Sequence, residues 1–167
     1  IDRDVVAPGT VIISAAAHCD DIRLVIEPTL KNNGGKIYYL NLSGMSLQLG
    51  GSSLAQVVSQ IGNAVPDITD PFLFHQGFEA IQHLVKNRMI VAGHDIGNGG
   101  LITTLLEMTF ADDQAGASVD LTSLGESDII KLFFSENVGV VFQAKGGLES
   151  EIEQLFENLN LKCHAIG

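Results

Sequence analysis

Short apolar segments that favour strands alternate along this chain with segments whose apolar residues recur at helical spacing. One strand-like segment is 36–42, which is rich in β-branched and aromatic side chains. One helix-like segment is 148–159, where Ile152, Phe156 and Leu159 fall on one face. In all, the pattern indicates about six strands and five helices. This alternation predicts a layered α/β fold, with a mixed β-sheet packed by helices.

The other elements follow from the same two periodicities. Strands are predicted at 11–17, 89–93, 117–121, 138–144 and 161–166. Helices are predicted at 54–61, from 67–71 onward, at 101–111 and at 127–134. The second of these helices is predicted to bury one face, formed by Phe74, Phe78, Ile81 and Val85. No repeat or low-complexity linker interrupts the pattern, so we predict a single domain over 1–167. Because the chain begins at Ile1 rather than Met, we expect a fragment of a larger multidomain protein.

Charge and composition exclude several classes of function. The net charge is −11 and no stretch of Lys and Arg forms a basic stripe, which argues against nucleic-acid binding. Charged residues make up only 17%, so we expect part of the apolar surface to be covered by other domains. The longest apolar runs are too short to span a membrane. Cys19 and Cys163 are interpreted as reduced thiols of a cytoplasmic protein, although each adjoins a histidine and a zinc site would need them to converge.

The first candidate site is the glycine-rich segment 93–101, at the end of a predicted strand and the start of a predicted helix. Such junctions bind anions in α/β proteins, because the first amides of the helix are unpaired. The predicted phosphate contacts come from four consecutive residues: Gly97, Asn98, Gly99 and Gly100. Asp95 is the predicted ligand of Mg²⁺, which prefers carboxylate and phosphate oxygens. The alternative is a plain turn, since the segment lacks the lysine of a P-loop and the full dinucleotide fingerprint.

A second glycine- and serine-rich segment, 42–56, also leads into a predicted helix. The amides of Gly50, Gly51 and Ser52 are candidate phosphate contacts. The alternative is a helix cap provided by Ser52 or Ser53, with close packing of the helix on the sheet. No order of Ser, His, Asp or Cys indicates a covalent nucleophile, so we predict no catalytic residue in this chain.

Four segments, in order along the chain, resemble one enzyme family. Residues 94–101 and 105–111 resemble the HD-x-S-D-GGL…LAEMAFAG stretch of formylglycinamide ribonucleotide amidotransferases, also called phosphoribosylformylglycinamidine synthases. Residues 49–57 resemble LGGSALAQV, and 6–15 resemble APGTLVISA. Residues 133–139 resemble the LFxEExG that precedes a late strand. The set is most similar to the second aminoimidazole-ribonucleotide-synthetase C-terminal-like domain of the long, single-chain form.

The resemblance implies a role in de novo purine biosynthesis. The family's ligase reaction uses ATP, glutamine and formylglycinamide ribonucleotide to give formylglycinamidine ribonucleotide, ADP, phosphate and glutamate. In the family, the Asp that matches Asp95 binds Mg²⁺, and a Ser two residues on contacts the nucleotide. Here that Ser is Gly97 and the next residue is Asn98, so a backbone amide would replace the hydroxyl. The implied partners are the nucleotide-binding and glutaminase domains of the same synthetase, with Mg²⁺ and ATP or ADP as cofactors.

Two other functions fit parts of the sequence. A purely structural or interaction domain would carry a decayed nucleotide site, which Gly97 and Asn98 would mark. A free-standing small-molecule synthetase of the aminoimidazole ribonucleotide, selenophosphate and thiamine-phosphate kinase group is disfavoured, because the nucleotide-binding half is missing from 1–167. The sequence therefore favours a domain of the synthetase that is inactive alone.

Overall fold

Four strands form one antiparallel sheet in the computed structural model, which describes residues 12–19, 21–32, 34–112, 114 and 116–167. The strands are β1 (Ile37–Asn41), β2 (Ile90–Asp95), β3 (Gly139–Ala144) and β4 (Cys163–Ala165). Their order across the sheet is β2-β3-β1-β4, and all three pairs are antiparallel. Since β1 and β2 both flank β3 in the opposite direction, they run parallel to each other without being adjacent.

Five α-helices occur among the residues that the structure describes. They are α1 (Ser53–Val57), α2 (Pro71–Lys86), α3 (Gly100–Glu107), α4 (Ile129–Phe134) and α5 (Glu149–Asn158), with 3₁₀ turns at Ile22–Leu24 and Thr122–Leu124. Asp70 caps α2 by accepting from the amides of Phe72 and Leu73, and Pro71 occupies the first turn where no amide partner is needed. No helix in the described ranges has the length and apolar character needed to cross a bilayer.

Alternation along the strands builds two hydrophobic cores, one on each face of the sheet. Tyr38 and Phe142 point to one face, where they pack with side chains of α2 and α5. Tyr39 and Val141 point to the other face, where they pack with Leu101 and other side chains of α3. Helices thus cover both faces, which confirms the predicted layered α/β class.

The predicted strand count and the predicted mixed sheet are both wrong. The strand predicted at 11–17 is absent from 12–17, where Ile12 and Ile13 are 87% and 86% exposed; Val11 lies outside the described residues. Segment 117–121 is also not a strand, although the amide of Asp120 donates to the carbonyl of Ile166 at 2.7 Å. Both segments have the apolar composition of a strand. A strand also needs a neighbouring strand edge to pair with, and the sequence alone does not show whether that edge exists.

The predicted buried face of α2 is rotated by about one residue. Phe78 is 49% exposed, whereas Gly77, Ala80 and Leu84 are buried. Gly77 faces the sheet because a Cβ there would overlap the side chain of Leu42, so the absence of a side chain permits the close approach. Phe74, Ile81 and Val85 still pack against the core but are only partly buried, because Gly77, Ala80 and Leu84 occupy the centre of the contact.

Candidate functional site at one end of the sheet

The strand directions bring both glycine-rich segments to the same end of the sheet. Asn41, the last residue of β1, pairs with Gly139, and Asp95, the last residue of β2, pairs with Val140. The chain therefore leaves β1 and β2 next to the point where it enters β3. Segments 42–56, 96–99 and 135–138 consequently meet there.

Asp95 extends into solvent from the end of β2. Its side chain is 84% exposed, and its nearest ionisable neighbour is His94, whose Nδ1 lies 3.4 Å from the Asp95 Oδ1. The other ring nitrogen of His94 lies 3.3 Å from Glu107 Oε2 on α3. The backbone carbonyl of Asp95 accepts from the Thr104 hydroxyl at 3.2 Å. The backbone of Asp95 is thus fixed by α3 while its carboxylate stays accessible.

Two glycines with positive φ connect β2 to α3. Gly99 precedes the helix at φ 89° and Gly100 begins it at φ 74°. A Cβ on Gly100 would lie 2.6 Å from the carbonyl oxygen of Phe133, so the start of α3 contacts the end of α4 closely. Within the described part of the chain, the amides of Gly97 and Asn98 have no hydrogen-bond acceptor. These two amides and the Asp95 carboxylate are the groups of this turn that remain open to a ligand.

The three predicted contacts in the other glycine-rich segment already have acceptors. The amides of Gly50, Gly51 and Ser52 donate to the carbonyls of Ala64, Ile61 and Leu49 at 2.8, 2.8 and 3.2 Å. The Ser52 hydroxyl accepts from the amide of Ala55 and caps α1, as the alternative reading of this segment predicted. A phosphate would have to break these bonds to use the same amides.

The two segments share one acceptor, the carboxylate of Glu136. Its Oε1 accepts from the amide of Ser53, at the start of α1, and from the amide of Gly99, before α3, each at 2.8 Å. The next residue, Asn137, holds the loop that follows β1. Both residues lie within 133–139, the segment that resembles LFxEExG, and no separate role was predicted for either. The feature of the sequence that could have indicated their role is a pair of polar residues, Glu and Asn, directly before a buried strand.

No group of three or more His, Cys, Asp or Glu side chains that could hold a metal occurs among the residues the structure describes. Cys19 and Cys163 are free thiols, exposed and half-buried respectively. Asp95 is one candidate carboxylate ligand. Mg²⁺ binds proteins through one or two carboxylates and keeps phosphates and water as its other ligands.

Comparison with known proteins agrees with the resemblance in sequence. Residues 32–167 match the family described as AIR synthase related protein, C-terminal domain. Phosphoribosylformylglycinamidine synthase of Dictyostelium discoideum is 39% identical over 96% of this chain. The Homo sapiens protein of the same name is 36% identical over 96% of this chain, and the probable Arabidopsis thaliana protein, described as chloroplastic/mitochondrial, is 41% identical over 92%. The chain spans only 11–12% of the length of these relatives.

Solved structures of Thermotoga maritima PurL share the fold. The form complexed with FGAR gives a TM-score of 0.65 at 17% identity, over 87% of this chain and 25% of that chain. The form complexed with ATP gives 0.63 at 16% identity, over 87% and 23%. The family match covers both strands that carry the glycine-rich segments, and so the chain belongs to the AIR synthase related protein, C-terminal domain family.

Proposed function

We propose that this chain is a domain of an ATP-dependent phosphoribosylformylglycinamidine synthase of de novo purine biosynthesis. The support is the 36–41% identity to three proteins of that name, each of which is far longer than this chain. The remaining domains of such a synthetase, including its nucleotide-binding and glutaminase domains, are the proposed partners. A cytoplasmic location remains a prediction.

Within the synthetase, the domain contributes one side of a Mg²⁺–nucleotide site. The observation that carries this proposal is the exposed Asp95 carboxylate beside the two amides, Gly97 and Asn98, that have no acceptor among the described residues. Gly97 and Asn98 lie just before the N-cap of α3, where the positive end of the helix favours a phosphate, and a nearby carboxylate favours the cation that accompanies it. PurL of T. maritima, which shares the fold, has been solved with ATP and with ADP.

Asp95 suits the proposed cation because its carboxylate is accessible and has no Lys or Arg partner among the described residues. Mg²⁺ would neutralise charge on the nucleotide phosphates, which matters in a chain of net charge −11. Gly97 and Asn98 would position a phosphate through their backbone. The proposed part of this domain in the reaction is binding and orientation of the nucleotide.

A second candidate function is a scaffold domain without a ligand. It is favoured by the five amides of the glycine-rich segments that donate within the chain: Gly50, Gly51, Ser52, Ser53 and Gly99. If the remaining amides of the two segments also donate to protein acceptors, the loops bind no nucleotide and only pack against neighbouring domains. The response of nucleotide binding to a change at Asp95 separates the two functions.

The test is Asp95→Asn in the complete synthetase. The substitution keeps the shape of the side chain and removes its charge, so the affinity for Mg·ADP is expected to fall by about 1–3 kcal/mol. Isothermal titration calorimetry of wild type and variant measures the difference. Glu126→Gln, on a different loop, is the matched control and is expected to bind like wild type. Equal affinity and equal nucleotide content in wild type and Asp95→Asn would favour the scaffold function.

A further inference from the structure

One carboxylate oxygen connects the two glycine-rich segments. Glu136 Oε1 accepts from the amides of Ser53 and Gly99, each at 2.8 Å, although those amides belong to different elements. Hydrogen bonds from amides to an ionised acceptor are shorter and stronger than those between neutral groups. The distance between the start of α1 and the turn before α3 therefore depends on one side chain.

The backbone of Glu136 is itself held on both sides. Before it, the amide of Ser135 donates to the carbonyl of Lys131 at the end of α4. After it, Gly139 begins β3 in the middle of the sheet. Glu136 is half-buried between these anchors. A short segment fixed at each end gives the carboxylate little freedom to follow a movement of either loop.

The same bonds divide the amides of the site into two groups. Ser53 and Gly99 donate to the internal carboxylate, whereas Gly97 and Asn98, in the same turn, have no acceptor in the described ranges. Because the amides of Ser53 and Gly99 already donate to Glu136, the amides of this turn that are left for a phosphate are those of Gly97 and Asn98.

We propose that Glu136 is a positioning residue, which fixes the turn 96–99 against segment 42–56 and so presents Gly97, Asn98 and Asp95 to a Mg²⁺-bound nucleotide phosphate. This inference rests on the proposed nucleotide-binding function and deepens it. It assigns the ligand to the amides that Glu136 leaves open, rather than to those of Gly50, Gly51 and Ser52.

The first test reads the shared acceptor directly in the 167-residue chain. In Glu136→Gln, the amide proton resonances of both Ser53 and Gly99 are expected to move upfield, because the acceptor loses its charge. Glu126→Gln is the matched control, since Glu126 also accepts two amides, those of Ser127 and Asp128, at 2.9 and 3.0 Å. It is expected to move only the resonances of its own two partners. If Glu136→Gln leaves Ser53 or Gly99 unmoved, the proposal is overturned.

The second test measures Mg·ADP binding by the complete synthetase. Glu136→Ala is expected to weaken binding about tenfold, whereas Glu136→Gln, which keeps an acceptor oxygen, stays within about threefold of wild type. Rescue by glutamine would not follow from a general loss of folding stability. Tyr38→Phe is the control for stability, because Tyr38 packs against α2 and α5 and lies in the core away from both loops.

The two proposals fail in different ways. If Asp95→Asn weakens nucleotide binding but Glu136→Ala binds like wild type, the positioning role is wrong and the nucleotide site stands. If both variants bind like wild type, the nucleotide-binding function is itself wrong and this inference falls with it. If only Glu136→Ala is impaired and glutamine restores it, positioning is supported and the metal ligand lies elsewhere.

Discussion

Asn137 accepts a hydrogen bond from the amide of Gln48 at 2.9 Å and is fully buried, at 0% exposure. Its Nδ2 also donates to the Ser43 hydroxyl at 3.0 Å and to the Ser46 carbonyl at 3.1 Å. A single side chain at the entrance to β3 therefore satisfies three groups of the loop that follows β1. The shape of that loop depends on a residue far away in the sequence.

Replacing Asn137 by Ala should destabilise the chain by about 3 kcal/mol, because it removes a buried side chain that makes three hydrogen bonds to the loop after β1. Chemical denaturation of wild type and variant measures the free energy of unfolding, and hydrogen exchange of the Gln48 amide should accelerate in parallel. Asn87→Ala is the control, since its exposed side chain donates only to the His83 carbonyl at 2.8 Å. A loss below about 1 kcal/mol at Asn137 would contradict the assigned network.

Gly100→Ala should destabilise the chain by about 3 kcal/mol, combining an unfavourable backbone conformation with overpacking. Gly100 has φ 74°, and a Cβ there would lie 2.6–2.8 Å from backbone atoms of Phe133 and Phe134. Gly125→Ala is a matched control, because its φ is 69° but no atom lies within 4 Å of the added Cβ. That control should cost only about 1 kcal/mol. Equal losses in thermal unfolding would show that α3 and α4 are not in close contact.

Tyr38→Phe should lower the free energy of unfolding by about 1 kcal/mol at neutral pH, since the hydroxyl donates to Glu153 Oε1 at 2.8 Å and this carboxylate is partly solvated. The hydrogen bonds from Tyr38 and Lys36 hold the pKa of Glu153 below its usual range. Ionised Glu153 is favoured in the folded state, so its contribution to the free energy of unfolding is complete above the ordinary pKa of a glutamate. That contribution is lost as pH falls through the lowered pKa of the folded state.

The difference between wild type and Tyr38→Phe should therefore shrink when denaturation is repeated below about pH 4. Tyr39→Phe is the control on the opposite face of the same strand. Burial raises the pKa of Tyr39 to about 12, so its hydroxyl stays neutral throughout the titration. Its substitution should give a small, pH-independent change. If the difference in unfolding free energy between wild type and Tyr38→Phe does not vary with pH, the stabilising effect of the Tyr38 hydroxyl does not come from its hydrogen bond to Glu153.

The 167-residue chain alone should form no formylglycinamidine ribonucleotide from formylglycinamide ribonucleotide, ATP and ammonia. The reason is that, in our proposal, it supplies one side of the nucleotide site and the other domains of the synthetase supply the rest. The assay is product formation measured beside the complete synthetase under identical conditions. Turnover by the chain above the enzyme-free background would refute the proposal that it acts only as a domain.

Local patterns in the sequence were sufficient for the elements with strong periodicity. The strands at 36–42 and 138–144 and the helix at 148–159 occur within one residue of their predicted limits. The buried residues Leu101, Leu105 and Met108 also lie on one side of α3 as predicted. These features follow from the spacing of the apolar side chains that become buried, and a short stretch of sequence shows that spacing.

The sequence by itself determined the layered α/β class, the family and the position of the two glycine-rich segments. Only the tertiary structure decided which strands pair, which face of α2 is buried and which loop amides remain open. Gly50 and Gly97 look alike in the sequence, yet the amide of Gly50 donates to Ala64 and that of Gly97 has no acceptor in the described chain. The difference arises because the fold as a whole places hydrogen-bond partners that are distant in the sequence. Glu136, for example, reaches Ser53 and Gly99 only once β1, β2 and β3 have assembled.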